Sequence, residues 1–295
     1  MKIVVSGASG LIGGRLVKEL LRDGHEVVRL VRREPRGAGE ARWSPGGSVD
    51  ASALRGADAV VHLAGAGVAD RPWTASYKRQ IRESRLQGTR TLAEAIAGAD
   101  DGPRVLVCGS AVGFYGDRGG EELDETSRGG TGFLADLVRD WEAAAQPAAN
   151  AGVRVAYART GIVLDAKGGL MGKTLLPFKL GLGAKLGNGR QWMSWISLDD
   201  EVAALRHLID HEVAGPVNLT APAPVTNAEF TKALGRALGR PAVLAVPAFA
   251  LRAVLRGLAD EGPLVSQRAV PNRLSETGFA FMHPELDGAL RALLR

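Results

Sequence analysis

Lys2-Ile3-Val4-Val5-Ser6-Gly7-Ala8-Ser9-Gly10-Leu11-Ile12-Gly13 follows the initial Met1 and decides how the rest of the chain is read. Three consecutive β-branched residues running into a cluster of small ones describe a buried strand that ends in a tight turn. An amphipathic pattern then runs from Leu11 to Arg22, so the glycines sit at a strand–loop–helix junction. Glycines at 7, 10 and 13 let the backbone turn sharply and approach a pyrophosphate, and the helix start offers free amides and partial positive charge. The spacing Gly-x-x-Gly-x-x-Gly is one residue wider at its start than the commonest dinucleotide fingerprint. Its context points to a dinucleotide site at Gly7, Ser9, Gly10, Leu11, Ile12 and Gly13, against the alternative of a purely structural turn.

The same alternation continues outward. Glu26–Val31, Ala59–Leu63, Arg104–Gly109 and Val153–Arg159 are apolar runs, and the segments Tyr77–Ala97 and Phe133–Ala149 between them have helical periodicity. Continuous apolar strands separated by helices predict an α/β fold, a doubly wound parallel sheet of the Rossmann kind. After Arg159 the texture changes to a Gly- and Lys-punctuated stretch, a short strand at Trp192–Ser197 and a helix capped by Ser197. Thr226-Asn227-Ala228-Glu229 is a capping box, and helices follow from Pro247 and over Pro284–Leu294. Residues 1–165, with 194–220 returning to them, are expected to form the dinucleotide-binding domain. Residues 166–193 and 221–295 are expected to form a smaller C-terminal lobe over the sheet's carboxyl edge.

Composition narrows the class. The 295 residues are 45% hydrophobic and 23% charged with one cysteine, which excludes collagen-like, disordered and disulfide-scaffold readings. Cys108 alone supports neither an intramolecular disulfide nor a cysteine-based zinc site, so a reducing cytoplasm fits and no metal is expected. With the first strand starting at Lys2 no secretory peptide is expected, and no apolar run reaches the ~18–20 residues of a membrane span. Arg outnumbers Lys 29 to 8, but the arginines are spread along the chain, which excludes a basic block for nucleic acid. Neither nucleic acid nor a membrane is expected as partner.

The second strand selects the dinucleotide. An NAD enzyme usually ends it with Asp or Glu for the ribose 2′-OH; here it ends Val31-Arg32-Arg33. A guanidinium can grip a 2′-phosphate bidentately where a carboxylate would repel it, so Arg32 favours NADP(H), against a solvated arginine pair. His62-Leu63-Ala64-Gly65-Ala66 ends the next sheet strand. Leu63, Ala64 and Gly65 are candidates to lie along the nicotinamide-side ribose, the alternative being strand packing.

In Gly7-x-x-Gly10-x-x-Gly13, His62-Leu63-Ala64-Gly65 and Ser110…Tyr115-Gly116 the chain resembles the extended short-chain dehydrogenase/reductases. Within them it resembles the epimerase-like branch named after nucleoside-diphosphate-sugar epimerases. Branch marks include Trp73-Thr74, Lys78, Ser84-Arg85, Thr89, Trp141-Glu142, Arg159-Thr160-Gly161-Ile162-Val163-Leu164 and Leu175-Leu176-Pro177-Phe178-Lys179-Leu180-Gly181-Leu182-Gly183. The resemblance covers nearly the whole chain. It implies an NADP(H) site that includes Leu63, Ala64, Arg85 and the backbone near Val163, besides the glycine loop and Arg32. Read without it, Arg85 is a solvated mid-helix arginine. A homodimer through 77–97 and 133–149 is a further implication of the resemblance.

The superfamily's proton chemistry uses Tyr-x-x-x-Lys, in which Lys lowers the Tyr pKa. Four residues beyond Tyr77, Tyr115 and Tyr157 stand Ile81, Gly119 and Gly161, so the pair is absent; its helix carries Phe133 and Leu137 instead. The remaining candidate proton donors are Ser110 and Tyr115, with a strand-end cap and packing as their respective alternatives. His62 reads as a packed strand residue, and Asp136 and Glu142 as a solvated helix face or a structural ion pair. Lys173, Arg190, Gln191, Trp192 and Trp195 suit an anionic or ring-containing ligand, or, for the tryptophans, the core. The expected function is an NADP(H)-dependent oxidoreductase acting on a small molecule with an unusual proton donor. The alternatives are a non-catalytic NADP(H)-binding sensor and, less well supported, a sugar-nucleotide epimerase.

Overall fold

The computed structural model describes residues 1–294, and of Lys173 the backbone only. Strand β1 (Lys2–Ser6) leads into helix α1 (Leu11–Arg22), whose bounds match the amphipathic pattern. Strands β2 (Glu26–Val31) and β3 (Glu40–Arg42) follow, then helix α2 (Ala51–Leu54), strand β4 (Ala59–His62), helix α3 (Ala75–Ala97) and strand β5 (Val105–Ala111). A seven-stranded sheet has the order Gly215–Leu219, Arg154–Thr160, β5, β4, β1, β2, β3. Parallel pairing links β5 to β4, β4 to β1, β1 to β2 and β2 to β3.

This order explains where a ligand can sit. From β1 the chain winds outward through β2 and β3 on one side, and through β4 and β5 on the other. The carboxyl ends of β1 and β4 therefore flank a topological switch point, where the connecting loops diverge and leave a crevice. Ile3, Val4 and Val5 are buried, as are all four residues of β4, because helices cover both faces of the sheet.

Residue contacts divide the chain into two units. The first is Met1–Ser110, Leu137–Ala158 and Leu205–Val217; the second is Ala111–Asp136, Arg159–Ala204 and Asn218–Arg295. Ala111–Asp136, placed by the sequence reading in the first domain, falls in the second unit. So do Arg159–Asp165, Ser194–Ala204 and Asn218–Thr220. The second unit has its own core around Trp195, Phe178, Phe230 and Leu290.

Two local expectations change. The single helix over Phe133–Ala149 is two, α4 (Phe133–Ala143) and a helix at Gln146–Asn150 with Pro147 in its first turn. Proline lacks an amide hydrogen and disfavours helical backbone in the residue before it, so it starts helices more readily than it continues them. The strand over Trp192–Ser197 is two, Trp192–Met193 and Trp195–Ser197, which pair with Val225–Thr226 and Ile162–Asp165 respectively. The Thr226–Glu229 capping box and the Ser197 cap both form. No helix among the described residues is long and apolar enough to cross a membrane, and no cluster of three or more metal-ligating side chains occurs among them.

Candidate functional site

The glycine loop is built by close approach. Gly7 has φ +72°, and a methyl on it would stand 2.7–2.8 Å from the backbone of Leu63 and Ala64. A methyl on Gly13 would overlap the Gly7 carbonyl oxygen, so α1 can start against the loop only with glycine there. Gly10 is the N-cap of α1 and carries no capping side chain, and the first turn has no acid. The first-turn amides of Leu11, Ile12 and Gly13 therefore keep their donors for an outside anion. Ser9 and Gly10 are exposed beside them.

Ser6 and His62 hold the two strand ends together. The Ser6 hydroxyl lies 2.6 Å from His62 Nδ1 and accepts from the Leu63 amide at 3.2 Å. His62 is buried at the edge of the Trp43 ring, and burial pushes its pKa down to about 4, so it is neutral at physiological pH. It is the packed strand residue the sequence suggested.

The two arginines after β2 have separate fates. Arg33 makes two 2.7 Å hydrogen bonds to the Glu40 carboxylate on β3, which Arg29 also approaches at 3.2 Å. The bonds from Arg33 and from the Arg36 amide hold Glu40 down at about 2, so this lock persists across the physiological range. Arg32 is exposed with no hydrogen-bond or ion-pair partner among the described residues. One guanidinium is consumed by the fold, and its neighbour stays exposed.

Arg85, at mid-helix in α3, is not solvated. Its guanidinium donates to the Ala66 carbonyl at 2.9 Å and the Ile81 carbonyl at 3.2 Å, and packs 5.0 Å from the Trp141 ring centroid. A methyl on Gly65 would stand 3.3 Å from it. Arg85 thus braces the loop after β4, with burial lowering its pKa to about 10. Leu63 and Ala64 are half-buried on that loop. Val163, in the strand Ile162–Asp165 of the second unit, is also half-buried and registers with Ile196.

The two candidate hydroxyls differ. Ser110, near the carboxyl end of β5, donates to Glu142 Oε1 on α4 at 2.6 Å. Sequence reasoning assigned Glu142 to a solvated face or an ion pair, and no local signal links residues 32 positions apart. Tyr115 is fully buried in the second unit. Its hydroxyl lies 2.7 Å from Asn218 Oδ1 and 2.9 Å from the Asp124 carbonyl, and accepts from Arg159 at 3.2 Å. Burial pushes it up to about 12. Tyr115 Oη bonds an amide oxygen, a carbonyl and a guanidinium, none of which can relay its proton, whereas Ser110 Oγ, also buried, bonds a carboxylate that can.

Elsewhere in the second unit Trp195 is a core residue whose indole donates to the Ala223 carbonyl at 2.9 Å. Gln191 is buried and donates to the Leu186 and Pro263 carbonyls. Trp192 lies 4.7 Å under the Arg268 guanidinium, Arg190 is exposed, and the Lys173 side chain lies outside the described residues. Arg190, Trp192, Asp117, Asn188 and Ser266 line a cavity of about 490 Å³.

Residues 3–220 match the NAD dependent epimerase/dehydratase family, and residues 246–293 match a domain of unknown function. An epimerase family protein of Mycobacterium leprae is 48% identical over 290 residues, covering 98% of this chain and 94% of the relative. The crystal structure of human epimerase family protein SDR39U1 with NADPH superposes with a TM-score of 0.92 at 36% identity, covering 99% of each chain. A UDP-glucose 4-epimerase of Thermotoga maritima with UDP-glucose shares the fold at a TM-score of 0.78 and 18% identity, covering 100% of this chain and 97% of that one.

Proposed function

The chain belongs to the NAD dependent epimerase/dehydratase family, and from that premise we propose that it is an NADP(H)-dependent oxidoreductase of the extended short-chain type acting on a small molecule. The observation that carries the choice of cofactor is the division of labour after β2: Glu40 ties up Arg33 and leaves Arg32 free. The NADPH bound to the human relative supports the same choice. Gly7, Gly10 and Gly13 admit a pyrophosphate against the bare amides of α1, and Arg32 takes the 2′-phosphate. Arg85 and the Ser6–His62 pair fix the Leu63–Ala66 backbone beside them.

When bound, the nicotinamide supplies or takes a hydride. Proton transfer needs a group of this chain, and Ser110 Oγ is the hydroxyl best placed for it. Glu142, bonded to Ser110 Oγ, can accept the serine proton when the substrate loses one and return it in the opposite direction. This pair stands in for the missing Tyr-x-x-x-Lys. A non-catalytic NADP(H) binder is the second reading, favoured by the enclosure of Tyr115 and by Phe133 and Leu137 at the missing positions.

The test has two parts. Titrating wild type and Arg32→Asp with NADPH and NADH, followed by tryptophan fluorescence, should weaken NADPH by about 10–100-fold, the weight of a charge-assisted hydrogen bond. NADH should be nearly unaffected, and an equal loss for both cofactors would remove the 2′-phosphate assignment. NADPH oxidation with quinones, aldehydes and ketones should then proceed in wild type and fall by about a hundredfold in Ser110→Ala and in Glu142→Gln. Tight binding without turnover would move the protein to the second reading.

A further inference from the structure

The formal charge of +5 conceals a segregation. Residues 166–198 and 230–259 contain ten of the 37 cations and none of the 32 acids, so the rest of the chain carries 27 cations against 32 acids and is net negative. Both runs lie in the second unit, and the fold brings them side by side. Ala184–Leu186 and Leu244–Val246 form a parallel strand pair in register, and the Leu244 amide donates to the Gly183 carbonyl.

The same two runs hold most of the chain's exposed large apolar side chains. Leu176, Leu180 and Leu182 come from the first; Val243, Leu244, Phe249 and Val254 come from the second, Val243 being 84% and Phe249 74% accessible. The helix Ala248–Leu255 is apolar at every position but Arg252, and none of its residues is buried. An apolar helix that leaves Phe249, Ala253 and Val254 exposed, beside further exposed leucines and valines, marks a contact surface. Arg236 and Arg252 are ion-paired to Asp287 and Asp260, whereas Lys179, Arg240 and Arg256 are exposed without ion-pair partners among the described residues.

We propose that this basic, apolar face of the second unit docks on an anionic phospholipid bilayer, with Phe249, Val254 and Val243 entering the interface and Lys179, Arg240 and Arg256 meeting lipid phosphates. Charge complementarity selects this occupant. A second copy packed across a two-fold axis would set this face, basic even with Asp260 and Asp287 paired on it, against itself. The exposed apolar residues are Leu, Val and Phe beside Lys and Arg, a combination found in interfacial helices. The contact is peripheral, since no described helix can span a membrane. It revises the expectation of no membrane partner, which rested on the lack of a spanning segment, and it is independent of the cofactor reading.

Co-sedimentation of the full chain with vesicles tests it. The protein should pellet with equimolar phosphatidylglycerol and phosphatidylcholine and stay in the supernatant with phosphatidylcholine alone. Lys179→Gln and Arg256→Gln should each weaken partitioning by about fivefold, and raised salt should do the same. The double variant Phe249→Asp, Val254→Asp should lose binding while its melting temperature and NADPH titration match wild type, both side chains being exposed. A supernatant location with the anionic vesicles, equal pelleting with both compositions, or pelleting of the double variant like wild type would overturn the proposal. So would self-association abolished by Phe249→Asp, Val254→Asp, which would give the face to a second copy.

Discussion

Around the glycine loop the fold leaves polar groups unused, and around Tyr115 it uses them all up. The first turn of α1 has donors with no cap, and Arg32 has no partner among the described residues. The Tyr115 hydroxyl meets Asn218, Asp124 and Arg159, while the Asn218 amide donates to Glu125 and its side chain to the Val270 carbonyl. Burying a polar group without a partner costs about 1–3 kcal/mol, so a core fills such networks and a binding surface keeps them open for its ligand. The contrast separates sites better than residue type does. A tyrosine in the expected segment is enclosed, while an arginine beside a salt-bridged arginine is exposed.

The comparison breaks most visibly at Gly7. Gly7→Ala must hold φ +72° and press its methyl against Leu63 and Ala64. Strain of ~2–3 kcal/mol on a loop with little freedom to shift should weaken NADPH binding by about 30–100-fold. Isothermal titration, with a melting curve to confirm folding, measures this, and near-normal affinity would mean that the loop does not cradle the cofactor.

The enclosed network should respond in the opposite manner. Tyr115→Phe leaves Asn218, the Asp124 carbonyl and Arg159 short of a partner, which should lower stability by ~1–3 kcal/mol in denaturant titration. The NADPH affinity and the turnover rate should hold. A fall in kcat with unchanged stability would return Tyr115 to the mechanism.

The smallest effect concerns Glu201, which is fully buried. Oε1 accepts from Thr160 at 2.8 Å, and Oε2 has no partner among the described residues. Burial raises its pKa from 4.5 to about 8. Between these values the unfolded chain has released this proton and the folded chain keeps it. The contribution from this group is therefore most favourable below about 4.5 and is lost as pH rises toward 8. Glu201→Gln should flatten that slope in melts across pH 5–8, and an unchanged slope would show that the folded carboxyl ionises normally.

Much of the first unit was legible from its residues. The bounds of α1 and β2 follow from apolar periodicity and from a glycine at the right place, both local properties. That Ile81, Gly119 and Gly161 stand four residues beyond the three tyrosines is an equally local fact. The break between α4 and Gln146–Asn150 had a local cause in Pro147, yet the apolar period runs through it and masks the signal. The Ser110–Glu142 bond had no such signal, because it joins a strand end to a helix across a chain reversal. The same holds for Arg85, whose carbonyl partner Ala66 is 19 residues away.

The sequence by itself determined a strand–glycine loop–helix entry, an Arg rather than an acid after β2, and the lack of Tyr-x-x-x-Lys. These depend on neighbours along the chain or on residue inventory. Only the tertiary structure decided that Arg33 is spent on Glu40, that Tyr115 is sealed, that Ser110 meets Glu142, and that two acid-free runs share one surface. Availability is a property of burial and pairing, and these arise when residues distant in the chain are brought into contact.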